Sequence, residues 1–113
     1  MNPSIPDFNQ SELDTIQNIL KKRYQRDIDL ELADSEVRLD PSIPVLTLCP
    51  TIFWKIEKTN FVVLKTAAER YRCLFFYGDD EHYGTSIHEY DNIAVCMTTL
   101  LQVQADHALS ERP

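Results

Sequence analysis

Glycine is nearly missing from this chain of 113 residues: Gly78 and Gly84 are the only two. A phosphate-cradling loop needs several glycines so that backbone N–H groups can close on the anion, so that class of nucleotide site is excluded. Cysteine is also scarce, and odd in number. Cys49, Cys73 and Cys96 lie far apart and form no Cys-x-x-Cys pair, which argues against a disulfide framework and against a thiolate zinc site. Each sits among apolar neighbours, as reduced, buried thiols do. Apolar runs stop at four or five residues, as in Phe61–Leu64, too short for a membrane-spanning helix. Basic residues are the minority, 11 Lys and Arg against 18 Asp and Glu, for a net charge of −7. Phosphate contacts draw their affinity from Lys and Arg, so nucleic acid is not an expected partner. Met1–Phe8 has neither the basic region nor the apolar core of a signal peptide. The expected location is therefore cytoplasmic, with no membrane partner.

What is present reads as one domain. The length suits a single core without staples, and 43% hydrophobic with 26% charged residues is ordinary for a folded chain rather than a disordered one. Residues 1–8 carry two prolines and form an arm, residues 9–107 the domain, and residues 108–113 a flexible tail. Asn9 or Ser11 opens a helix, with Asn9-x-x-Glu12 in capping-box spacing. Leu13, Ile16, Leu20 and Tyr24 recur at helical period and Ile19 widens the stripe. Lys21, Lys22, Arg23 and Arg26 end that helix, where cations complement its dipole. The tetrapeptide Pro-Ser-Ile-Pro occurs at 3–6 and again at 41–44; each copy reads as an extended connector, since four residues are too few for a repeat.

The period then switches to two. Ile28, Leu30 and Leu32 alternate with Asp29 and Glu31, a strand with one solvated face, and the acidic stretch Ala33–Asp40 is read as continuing in a second short strand around Val37 and Leu39. Strands follow at Val45–Cys49, Ile52–Glu57, Phe61–Lys65, Arg70–Tyr77 and His82–Ile87. Their short turns favour an antiparallel meander, because parallel pairing needs longer crossovers. Asp91 is a suitable N-cap for a last helix over 92–107, whose inner face is Ile93, Cys96, Met97, Leu100 and Gln104. The predicted fold is α+β: an N-terminal helix, an antiparallel meander of about five strands, and a C-terminal helix packed on the sheet.

Chemistry-bearing residues concentrate between Glu69 and Asp91, which hold both glycines, two of three histidines and four of five tyrosines. A four-residue loop at 78–81 would pair Tyr77 with His82, Phe75 with Gly84, Cys73 with Ser86 and Tyr71 with His88. In that register His82 and His88 point the same way but stand roughly 20 Å apart along the strand, too far to share one metal. Asp79, Asp80 and Glu81 lack the spacing of a calcium loop and read as a solvated turn. No metal and no cofactor are expected. Cys73 and His88 lie diagonally on one face, so a Cys–His nucleophile with Ser86 nearby is the enzymatic alternative. Against it, Cys73 is flanked by Leu74 and Phe75, and no oxyanion donor is evident.

The central strands carry large apolar side chains on both faces, whereas an antiparallel sheet covered on one side should be polar on the other. Either the helices divide between the faces or one face meets another protein. The function this favours is protein–protein interaction, with another protein or with a second copy as a homodimer, through an aromatic sheet face and the acidic hairpin edge. The candidate contacts are Phe53, Tyr71, Phe75, Tyr77, His82, Tyr83 and His88. A further reading takes the acidic surface as a mimic of nucleic-acid charge, with a basic protein as partner.

Overall fold

A computed structural model describes residues 5–78 and 81–110 of the chain. Helix α1 spans Gln10–Tyr24. Its start is fixed by a reciprocal cap: Asn9 Oδ1 accepts from the Glu12 N–H at 2.8 Å, and Glu12 Oε1 accepts from the Asn9 N–H at 2.7 Å. Its end is fixed by Gln25, left-handed at φ 57°, whose N–H reaches the Lys21 carbonyl. Helix α2 spans Ile93–Ser110. Asn92, rather than Asp91, caps it, accepting from the Val95 N–H at 3.0 Å. Three residues assigned from the sequence to the tail, 108–110, continue the helix.

Five strands, β1 (Glu31–Val37), β2 (Thr47–Ile56), β3 (Thr59–Ala67), β4 (Arg70–Phe76) and β5 (His82–Gly84), form one antiparallel sheet in chain order. The meander is as expected, and three of its details differ. The alternation over Asp27–Leu32 does not mark the ladder, which begins only at Glu31; Ile28 and Leu30 instead turn inward and pack against the margin of the core. Pro50 does not divide two strands. It lies within β2 opposite Asp34, just beyond Thr51, where the ladder to β3 begins. A proline that has lost one neighbour is in effect at an edge, where the missing N–H is tolerated. The tight turns between β2 and β3 and between β3 and β4 place Glu57 and Glu69 at φ 53° and 59°, a conformation glycine would adopt without steric cost.

The third difference lies in the β4–β5 hairpin. Phe76 pairs with His82, Phe75 with Tyr83 and Leu74 with Gly84, so five residues, not four, make the connection. One extra loop residue slides the register by one and sends every β5 side chain to the other face. The acidic pair Asp79 and Asp80 lies outside the described residues, as does the tail end at 111–113.

Both helices cover the same face. Ile16 and Leu20 of α1 and Cys96, Met97, Leu100 and Leu101 of α2 close over Ile52, Trp54, Phe61, Val63, Tyr71 and Phe75. Trp54 stacks on Phe61 with ring centroids 5.3 Å apart, and its Nε1 donor has no acceptor among the described residues. No helix among the described residues is long and apolar enough to cross a membrane.

Candidate interaction surface

Because side chains alternate along each strand, the residues between the covered ones point to the opposite face, over which neither helix lies. Phe53 of β2, Val62 of β3 and Leu74 of β4 stand directly opposite one another there, forming a continuous apolar row across three strands. Leu64 flanks that row on one side and Phe76 on the other, and all five are half-buried. Lys55, His82 and Arg72 border the patch. Arg72 is held in place by Glu89 at 3.1 Å and by the Leu39 carbonyl at 3.3 Å. Beside the patch a hollow of about 320 Å³ is lined by Leu64, Leu74, Ile87, His82 and His88. In the connection from β1 to β2, Ile43, Val45 and Leu46 are exposed apolar side chains, 47–55% accessible.

Of the contact residues expected from sequence, Phe53 and His82 lie on this open face, with the His82 ring 4.9 Å from that of Phe76. His88 is exposed at the hollow's rim, in the loop after β5 rather than on a strand. Tyr71 and Phe75 are inside the molecule, 3% and 0% exposed, so neither is a surface group. Tyr77 and Tyr83 also turn to the helix side. The Tyr77 hydroxyl is 3.2 Å from His107 Nδ1 and accepts from Gln104 at 3.3 Å, while the Tyr83 ring lies 4.2 Å from that of His107. These two tyrosines fasten the hairpin to the last turns of α2. Val62, Leu64, Leu74 and Phe76, which complete the open patch, were missing from the expected set. The signal that identifies them is the alternation itself, once Trp54, Phe61 and Phe75 are taken to mark the covered side.

Cys73, Ser86 and His88 are not assembled into a dyad. The partner of the Cys73 thiol is Cys96 of α2. That hydrogen bond holds Cys73 below the ordinary thiol range against the opposing effect of burial, with a smaller contribution from Thr85. Cys96 keeps its proton: the bond to Cys73, and then burial, push it far above the ordinary range. Ser86 and His88 are exposed loop residues. Among the described residues no group of three His, Cys, Asp or Glu side chains is placed to hold a metal ion.

One polar cluster is buried, on the covered side. Lys65 Nζ donates to Glu12 Oε1 at 2.8 Å and to the Asp7 carbonyl at 3.1 Å, and the Tyr71 hydroxyl donates to Glu12 Oε2. Lys65 also sits 5.7 Å above the Phe8 ring. Burial pushes the Glu12 carboxyl up, but the bonds from Lys65, Tyr71 and the Asn9 N–H prevail and hold it below its usual 4.5. Burial first, and then the bond to Glu12, raise Tyr71 above its usual 10.0. Both carboxylate oxygens are engaged, and the cluster works as a latch between the start of α1 and the sheet. Compared with known proteins, the chain matches no family model, no curated protein and no solved structure.

Proposed function

We propose that this protein is a binding module for other proteins and that it binds through the open face of its sheet. The observation that carries the reading is the Phe53–Val62–Leu74 row, three apolar side chains in direct cross-strand register on a face no helix covers. Solvated faces of antiparallel sheets are ordinarily polar, and contiguous apolar patches on soluble domains mark contact sites. Aromatic groups at its margin and a charged border suit a contact with an apolar centre and a polar rim. The nucleophile reading has less support, since the neighbour of Cys73 is a second thiol rather than a base.

The test is the double variant Val62→Glu/Leu74→Glu. Sedimentation equilibrium of the purified chain and co-purification from its native source should both show loss of a specific contact, with the circular dichroism spectrum and melting curve retained. A chain that is monomeric at all concentrations, and whose co-purifying proteins are the same with and without the substitutions, ends the proposal.

A further inference from the structure

The two edges of the sheet are unlike. β5 offers three residues, whereas β1 offers seven, paired to β2 on one side only. Alternate N–H and C=O groups of β1 therefore point outward, a template for one more strand. Chains usually guard such an edge with charge, and this one does: residues 27–40 hold six carboxylates and one arginine, a net of −5 out of the chain's −7. A second copy would bring Asp34 against Asp34, so self-pairing along β1 is disfavoured.

Charge alone would be protection and nothing more. The second observation is a groove. Between α1 and the approach to β1 lies a cleft of about 720 Å³, with Leu13, Ile28, Leu30 and Leu32 as its apolar floor and Asp27 and Asp29 on its wall. Leu32, 62% exposed, also borders a second hollow of about 320 Å³ that reaches Phe8 and Asp34. The two meet at Leu32, which lines both, and together make a trough beside the edge strand, the first part of it against the helix. Among the described residues Lys21 is the only cation lining it, and that side chain is 3.5 Å from Asp27. An edge strand with a helix set beside it, and an apolar trough between them, is the arrangement in which extended peptides are taken up as an added strand.

We infer that the trough beside β1 binds an extended, basic segment of another protein as a sixth strand of the sheet. Charge decides the occupant. Antiparallel to β1, the segment places cations opposite Glu31, Asp34 and Glu36, and apolar side chains opposite Leu32 and Val37, the former entering the trough. This site does not require the Phe53–Val62–Leu74 row, although Val37 at the end of β1 also lines the hollow beside that row.

The probe is the synthetic peptide Val-Lys-Thr-Lys-Val-Val-Lys, titrated into the full chain and followed by backbone amide chemical shifts. Its counterpart with Glu for every Lys, and a version N-methylated at alternate residues, serve as controls. The expected result is shifts centred on Glu31–Val37 and affinity at least about tenfold greater than for the acidic counterpart, weakening as salt is added. N-methylation abolishes binding, because the added strand can no longer donate to the edge. Asp34 and Glu36 are exposed, so Asp34→Lys/Glu36→Lys should fold and should exchange the preference, taking the acidic peptide over the basic one. Val62→Glu should leave the titration unchanged. Equal affinity for both peptides, indifference to N-methylation, or shifts centred on Val62 and Leu74 would each overturn the inference.

Discussion

The two faces of the sheet are built from the same strands and nearly the same residue types, yet they differ in what finishes them. On one face the large side chains of the central strands, Ile52, Trp54, Phe61, Val63, Tyr71 and Phe75, are enclosed by α1 and α2, and even the charges are completed, with Lys65, Glu12 and Tyr71 each in hydrogen bonds. On the other, the Phe53–Val62–Leu74 row is as apolar as a core but only half-buried. The difference teaches that apolar content alone does not locate a core. The covered face spends its hydrophobicity on stability, and the open face holds apolar surface that the chain's own helices do not use.

That contrast can be broken most directly by truncation. Phe75→Ala, at a fully buried position, should lower unfolding free energy by about 3–5 kcal/mol in urea denaturation. A loss below about 1 kcal/mol would show that the covered face is not the core. Lys65→Ala should cost about 3 kcal/mol by leaving Glu12 buried without its cation, and the double variant Lys65→Met/Glu12→Leu should recover much of that, since the pair itself adds little over apolar packing. Two single losses that simply add would mean the side chains act independently.

Acid and alkali sharpen the same comparison, because the covered face holds the most deeply buried ion pair among the described residues. Glu12 is depressed in the folded state, so its contribution is complete above its usual 4.5 and is lost as pH falls through the lower folded value. Tyr71 is raised, so its contribution is complete below 10.0 and is lost as pH rises through the higher folded value. The urea midpoint should be steady between those limits and fall on either side, with the alkaline fall reduced in Tyr71→Phe. The smallest effect belongs to the open face: Val62→Thr keeps shape and β-branching, and should change stability by no more than about 0.5 kcal/mol while weakening any contact made there.

Much of the fold was legible because periodicity reports packing. Asn9 and Glu12 announced the start of α1, and the short turns announced the meander. The site was less legible. Its face assignment in β5 depended on whether His82 pairs with Tyr77 across four residues or with Phe76 across five, a difference composition does not encode and one that reverses every side chain. Tyr71 and Phe75 looked like recognition aromatics because sequence shows alternation but not which side the helices take. Lys65 was invisible as a core residue for the usual reason that lysine is expected outside. Its partners lie 53 and 58 residues back, and no local pattern links them.

Those separations also bear on the order in which the molecule assembles. Lys65 and Tyr71 face each other across the β3–β4 hairpin, whose contacts are local and quick to form. Glu12 must close a loop of more than fifty residues to reach them, at a far greater cost in chain entropy. The expected order is the hairpin first and the helix start second, with the lysine keeping its water until the two meet. Loss of the latch should speed unfolding more than it slows folding, so Lys65 measures how long the native state lasts rather than how readily it is found.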